Sequence, residues 1–231
     1  MVANFILGSK YPKEYFEKAL AAQIENSIDL GWEPENIVIL SNFSFKYMKV
    51  ETIKTSDLNT LCLTGSKMFG VKWLLSKGEK ELIWAHDLDA WQNVWFDPPK
   101  LKDVGICQYS SPKFNGGSIF WKSTGEDICT AIVDEILNTE SPKEEPIIDK
   151  LFKSKTYKKR VSILNSSLNV GCSGFKERYG NGIKPIKVCH FHPNNRLAWK
   201  TFVLDKHNYG KQIITPRLRR VLERYYYGEN F

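Results

Sequence analysis

The sequence predicts an α/β domain with a mixed, mostly parallel central sheet flanked by helices and a basic helix near its C-terminus. Three observations carry this. Short apolar runs at 4–7, 36–41 and 81–85 read as strands buried on both faces. Segments with helical periodicity at 12–30 and 66–77 lie between them, the strand–helix–strand order of parallel sheets with right-handed crossovers. The chain has 231 residues, 42% hydrophobic and 13% aromatic, which excludes a disordered chain and allows a sizeable core.

Each element has its own signal. The first strand closes at Gly8-Ser9. Pro12 opens a helix in which Phe16, Ala19, Leu20, Gln23, Ile24, Ser27 and Ile28 keep helical spacing, and Gly31 suits its end. A strand is expected near 50–54. In the helix at 66–77, Met68, Val71, Trp73, Leu74 and Leu75 supply the apolar side and Gly78 the stop. Strands at 103–109 and 118–121 flank the turn-rich Ser-Pro-Lys-Phe-Asn-Gly-Gly, whose Asn115-Gly116-Gly117 also reads as a hairpin turn. Helices follow at 125–138 and 146–152, the latter beginning at Pro146, and late strands at 161–164 and 186–191. Thr215 and Pro216 start the last helix and Gly228 follows its end. Without an internal repeat or linker, one domain over 1–231 is expected.

The net charge of +7 is unevenly spread. Residues 151–231 hold 17 Lys/Arg against 4 Asp/Glu, whereas 1–150 hold 16 against 22. The basic third, with its run at 153–160 and with Arg217, Arg220 and Arg224 on one helix face, points to a phosphate-bearing or other anionic partner, or to a solvated surface. No stretch has the roughly 18 apolar residues of a membrane span. Five scattered cysteines without C-x-x-C spacing form neither a disulfide framework nor a zinc ribbon. A cytoplasmic protein of a reducing compartment is the expectation.

The sharpest chemical feature is Trp84-Ala85-His86-Asp87-Leu88-Asp89-Ala90-Trp91. Ligands of open α/β sheets collect beyond the carboxyl ends of strands, where Asp87 and Asp89 fall. Two carboxylates one residue apart suit a hard divalent cation whose other positions go to phosphates and water. Of the surrounding aromatics, Trp84 reads as core and Trp91 as a pocket wall; His86 reads as structural.

The order of parts resembles the GT-A sugar-nucleotide glycosyltransferases over residues 3–200, leaving 201–231 as a basic extension. The shared parts are a first strand ending in small residues, a Lys-bearing helix before Asp87-Leu88-Asp89, Phe114-Asn115-Gly116-Gly117, and the late Val188-Cys189-His190-Phe191-His192-Pro193. The resemblance implies a Mn²⁺ or Mg²⁺ ion held by Asp87, Asp89 and His190, with His192 as rival because alternate strand residues face opposite ways. It implies a nucleoside-diphosphate sugar met by Leu7, Gly8 and Ser9 at base and ribose, by Asp87, by Lys67 and by Asn115 and Gly116 at the sugar. The family's late Gly and Lys-Pro-Trp are missing, so Arg196 and Lys200 are expected as the diphosphate counter-charges. An acidic residue at the helix near 144–149 would be the general base: Glu145, or alternatively Glu144 or Asp149.

The expected activity is transfer of a sugar to an acceptor hydroxyl, on a phosphate-rich polymer such as hydroxymethylated DNA or on an anionic surface glycan. A nucleotidyltransferase would need a Gly-rich phosphate loop after the first strand, and only Gly8 stands there. A nucleic-acid-binding protein explains the basic third but gives the aspartates no task. A metal-dependent nuclease is the remaining rival.

Overall fold

The computed structural model describes residues 2–5, 12–54, 65–78, 81–109, 112–140, 142–203 and 213–227. Eight strands form the central sheet: β1 (Val2–Phe5), β2 (Val38–Ser41), β3 (Lys46–Tyr47), β4 (Val50–Lys54), β5 (Leu82–His86), β7 (Val104–Gln108), β8 (Phe114–Lys122) and β9 (Val161–Ile163). Their spatial order is β3-β4-β2-β1-β5-β8-β7-β9. A second sheet joins β10 (Val170–Gly171), β11 (Val188–His190) and β6 (Ala90–Gln92) in that order. The helices are α1 (Lys13–Asp29), α2 (Ser66–Ser76), α3 (Glu126–Leu137), α4 (Glu144–Phe152), α5 (Phe175–Asn181), α6 (Arg196–Val203) and α7 (Pro216–Leu222).

The half from β4 to β5 is parallel, as the strand–helix–strand pattern requires. The other half is less so: β8 runs antiparallel to both β5 and β7, and β9 returns parallel to β7. The cause is the short connection at 109–113, which permits only an antiparallel return. Phe114-Asn115-Gly116-Gly117 is therefore not a hairpin turn but the first part of β8. Residues 114–121 of that strand are all buried, which explains its apolar second half.

Core packing follows the helix periodicities. Met68, Val71 and Leu75 of α2, and Ile128, Ile132 and Ile136 of α3, pack with Ile83, Ile106 and Ile119 of the sheet. Leu20 and Ile24 of α1 cover Ile39 and Val50. The small sheet has a core of its own, in which Trp91, Val170, Cys189, Phe191, Phe202 and Leu218 meet. Trp91 is fully buried there and donates to the Phe191 carbonyl at 3.2 Å, so it belongs to the core rather than to a pocket wall. Cys107, Cys129 and Cys189 are buried free thiols, as expected of small core residues. No helix among the described residues is long and apolar enough to cross a membrane.

The C-terminal helix starts as its sequence indicates, with Thr215 Oγ1 accepting from Leu218 N–H at 3.3 Å and Pro216 as first residue. Arg220 is exposed, but two of the arginines expected on the polar face of this helix have partners in the body of the domain. Arg217 donates to Asn26 Oδ1 at 2.7 Å and to the carbonyls of Asn93 and Gln92 at 3.2 and 3.3 Å. Arg224 pairs with the buried carboxylate of Glu25, which also accepts from Tyr225 Oη at 2.6 Å. In the basic run, Arg160 is likewise held by Asp103 and Asp127 at 2.5 and 2.6 Å. These cations fasten the last third to the acidic body. Arg217→Ala leaves several acceptors unpaired and should lower urea-unfolding stability by about 2 kcal/mol, whereas the exposed Arg220→Ala should change it by less than about 0.5 kcal/mol.

Candidate active site

Strand β5 buries Ile83, Trp84 and Ala85 and ends at the turn carrying Asp87 and Asp89. Asp87 N–H donates to Gly117 O, and Ala90 N–H to Asp87 O, each at 3.0 Å. Gln23, a polar residue on the buried side of α1, donates to the carbonyls of Leu88 at 2.6 Å and Ala90 at 3.0 Å. Phe191 N–H closes on Asp89 O at 2.8 Å. With its backbone tied at both ends, the turn directs both carboxylates to one place.

The antiparallel register of β11 on β6 sets His190 opposite Ala90. Its Nε2 lies 3.1 Å from Asp89 Oδ1 and 3.6 Å from Asp87 Oδ2. One ligand atom from each of Asp87, Asp89 and His190 falls within 4.8 Å of the others. Behind the ring, Asn169 Nδ2 donates to Asn115 Oδ1 at 3.0 Å, leaving Asn169 Oδ1 to accept from His190 Nδ1 at 3.2 Å. This puts a proton on Nδ1 and turns Nε2 toward the carboxylates, the orientation from which a histidine offers Nε2 to a metal. Gly117 makes room for the ring: a Cβ there would stand 2.2 Å from His190 Cε1.

The strand-alternation argument against His192 does not hold. Because β11 ends at His190, the chain is free to turn, and His192 Nε2 lies 3.2 Å from the other oxygen of Asp89 while its Nδ1 meets Tyr15 Oη at 3.2 Å. Burial opposes the Asp89 charge, yet His190 and His192 together hold its carboxyl well below the usual range. Burial would likewise lower the His190 pKa, but Asp89 and Asp87 raise it. Two carboxylates and one imidazole form a donor set that fits Mn²⁺, and Mg²⁺ less closely because magnesium favours oxygen.

A cavity of about 710 Å³ opens beside these groups, lined by Lys67, Asp87, Tyr109, Gly116, Glu144, Glu145 and His190 among others. Lys67 is buried and donates to Asp87 Oδ1 at 2.6 Å and Gly116 O at 2.5 Å, with Glu144 Oε1 in ion-pair contact at 3.3 Å. Burial works against the Lys67 charge, but Asp87 and Glu144 raise its pKa above the ordinary lysine value. Burial pushes Glu144 up to about 8, with Lys67 opposing and Asp87 and Glu145 adding to the rise. Glu145 Oε1 accepts from Tyr109 Oη at 2.8 Å and Gly116 N–H at 3.2 Å. His86 is buried and neutral, its pKa lowered to about 4 by desolvation, and its Nδ1–H donates to Asp87 O at 2.8 Å. A separate cavity of about 240 Å³, walled by Trp32, Trp84, Trp95 and Phe120, has no titratable lining and no part in this chemistry.

The structure thus gathers Asp87, Asp89, His190, Lys67, Gly116, Glu144 and Glu145 around one cavity. Asn115 is buried behind it, bonded to Gly117 N–H and Asn169. Asp149 accepts from Phe114 N–H at 3.2 Å, pairs with Lys153, and does not line the cavity. Lys200 is exposed on α6, and Arg196 is the first residue of that helix. Leu7, Gly8, Ser9, Cys62, His207 and Gly228 lie outside the described residues, as does the side chain of Arg196. Sequence reasoning missed Asn169, Gln23 and Tyr109. Gln23 signals itself as an amide on the buried stripe of a helix, but Asn169 follows a short loop helix and has no pattern around it.

No protein-family model matches the sequence, and no curated protein matches it. Solved structures do. The galactosyltransferase LgtC, in complex with donor and acceptor sugar analogues, matches with TM-score 0.57 at 12% identity over 100% of this chain and 98% of its own. The chain has the GT-A glycosyltransferase fold. The glycosyltransferase GlyE of Streptococcus pneumoniae TIGR4 matches with TM-score 0.58 at 12% identity, over 97% of this chain and 59% of its own. A glycosyltransferase involved in glycosylation of the major capsid of PBCV-1 matches with TM-score 0.53 at 11% identity, over 85% and 94%. At such identities the likeness carries the fold alone.

Two tests follow from this geometry. Gly117→Ala removes no ligand atom, yet the clash with His190 should weaken Mn²⁺ binding about tenfold or more by calorimetry. For Glu144 the folded pKa lies above the ordinary 4.5, so the stability of its neutral form is complete below that value and is lost as pH rises through about 8. Urea unfolding of metal-free protein from pH 5 to 8.5 should show a decline that Glu144→Gln flattens, with a slope difference of at most about 1.4 kcal/mol per pH unit.

Proposed function

We propose that the protein is a metal-dependent glycosyltransferase that moves a sugar from a nucleoside-diphosphate sugar to an acceptor hydroxyl. The observation that carries this reading is the convergence of Asp87, Asp89 and His190 at the rim of a large cavity, on a GT-A fold. Those three residues would hold a Mn²⁺ or Mg²⁺ ion, whose charge would neutralise a departing diphosphate. Asn169 fixes the imidazole, and Lys67 keeps Asp87 and the Gly116 carbonyl in place. Leu7, Gly8 and Ser9 meet the base and ribose, and Arg196 and Lys200 add counter-charge to the diphosphate. Gly116 shapes the sugar end of the cavity, and Asn115 supports it from behind through Gly117 and Asn169.

Glu145 is the best-placed base. Its Oε1 is oriented by Gly116 N–H and Tyr109 Oη, and it lines the cavity that an acceptor hydroxyl must enter. Glu144, whose pKa is pushed by burial above the ordinary carboxylate range, lies beside it against Lys67. A saccharide hydroxyl is the acceptor that fits better than DNA. Arg160, Arg217 and Arg224 each already have a partner within the protein, and the fold neighbour LgtC is seen with an acceptor sugar analogue.

Calorimetry or thermal shift with nucleoside diphosphates and their sugars, with and without Mn²⁺, tests the reading. Metal-dependent stabilisation of about 2.7 kcal/mol is expected at a hundredfold excess over Kd. Asp89→Ala should keep the circular dichroism spectrum and lose metal-dependent donor hydrolysis and transfer. Full activity in that variant contradicts the mechanism.

A further inference from the structure

Arg178 lies on α5, and only 2% of its surface is exposed. Its Nε, Nη1 and Nη2 have no hydrogen-bond partner among the described residues. A guanidinium so deeply buried is ordinarily paired, because an uncompensated charge in the interior is costly. Its Cζ stands 5.2 Å from the centre of the Tyr109 ring. On another side Nη1 abuts Gly171, where an added Cβ would come within 3.0 Å of it and 3.4 Å of His190 O. Gly171 pairs with His190 across β10 and β11. The guanidinium therefore sits between the strand that carries His190 and the cavity wall formed by Tyr109 and Glu145.

Cys107, Tyr109, Glu145 and Cys172 act on it electrostatically, and it in turn disfavours the charged form of His190. Of these only Glu145 is a carboxylate, and its Oε1 already receives Tyr109 Oη and Gly116 N–H. Arg160, Arg217 and Arg224, from the same basic third, each have an internal partner. Arg178 does not, and it lies beside the cavity.

We propose that Arg178 is the cation of an anion subsite at the Tyr109–Glu145 end of the cavity, and that the saccharide bound there carries a carboxylate. A monoanion neutralises a single guanidinium, and the planar fork of arginine matches a carboxylate with two parallel hydrogen bonds. A phosphate dianion would leave excess negative charge next to Glu145. The Tyr109 ring now covers the guanidinium, so the ligand turns that ring aside and replaces its cation–π contact with an ion pair. The same movement removes the Tyr109 hydroxyl from Glu145 Oε1 and frees that oxygen for the acceptor hydroxyl. The subsite itself needs only the unpaired charge; the use of the saccharide rests on the glycosyltransferase reading.

Titration calorimetry on the full chain tests this in two arms. One compares D-glucuronate and D-galacturonate with D-glucose and D-galactose, for an anionic acceptor. The other compares UDP-glucuronate with UDP-glucose in Mn²⁺, for an anionic donor sugar, with UDP and Mn²⁺ alone as control. In at least one arm the acid should bind wild type about tenfold or more tightly than its neutral twin. Arg178→Met should abolish the preference, and Arg178→Lys, which lacks the fork, should retain only part of it. Equal binding of acid and neutral sugars in both arms, or no binding of either, overturns the proposal. So does a preference that survives in Arg178→Met, even if that variant has a changed Tm. Should Arg178→Met not fold, an undiminished preference in Arg178→Lys is equally contrary. Failure of the UDP–Mn²⁺ control counts against the nucleotide-sugar reading, while the free-uronate arm still decides the subsite.

Discussion

Asp87 and Asp89 stand one residue apart and share a single space at the end of β5, and their mutual repulsion is the constraint around which the site is built. Each surrounding contact reduces or directs that negative charge. Lys67 takes one oxygen of Asp87, and His190 and His192 take the two oxygens of Asp89. Gln23 and Phe191 tie down the backbone that would otherwise splay the pair. The small sheet has the same purpose: β6 continues directly from the aspartate turn, and β11 pairs with it so that His190 arrives in register. The divalent cation we propose would give this charge a centre, whereas two imidazoles and one ammonium disperse it.

The +7 balance of the whole chain is similarly divided by the structure. The acidic first two thirds keep their carboxylates at the site and on α1, and the basic last third closes over them through Arg217 and Arg224. Part of what reads in the sequence as a polyanion-binding surface is thus a clasp between chain segments. It holds α7 against α1, and α1 in turn holds the aspartate turn through Gln23. Stability of the C-terminal helix and geometry of the site are therefore coupled through one helix.

Most strands and helices of the parallel half were legible because apolar runs and helical stripes alternate there and both helices stop at a glycine, Gly31 and Gly78. Asp87 and Asp89 were legible because their place at a strand end follows from the apolar run before them. The antiparallel half was not, because Asn-Gly-Gly is the ordinary signature of a turn, whereas here both glycines sit inside a strand, Gly117 admitting the His190 ring and Gly116 the close approach of the Glu144 carboxylate. His192 was misjudged for a related reason: alternation holds only while a strand lasts, and β11 stops two residues too early. Asn169 and Arg178 owe their roles to packing between segments distant in sequence, which no local pattern records. Among the basic residues, composition registers a charge but not whether Glu25 or Asn26 lies opposite it.

The most direct test of the account is the location of the cation itself. Crystals grown with Mn²⁺ and a nucleoside diphosphate should give one anomalous-scattering peak at the manganese edge, bonded to carboxylate oxygens of Asp87 and Asp89 and to His190 Nε2, with diphosphate oxygens completing its shell. A peak ligated elsewhere, or a bound diphosphate with no metal between it and the aspartates, would contradict it.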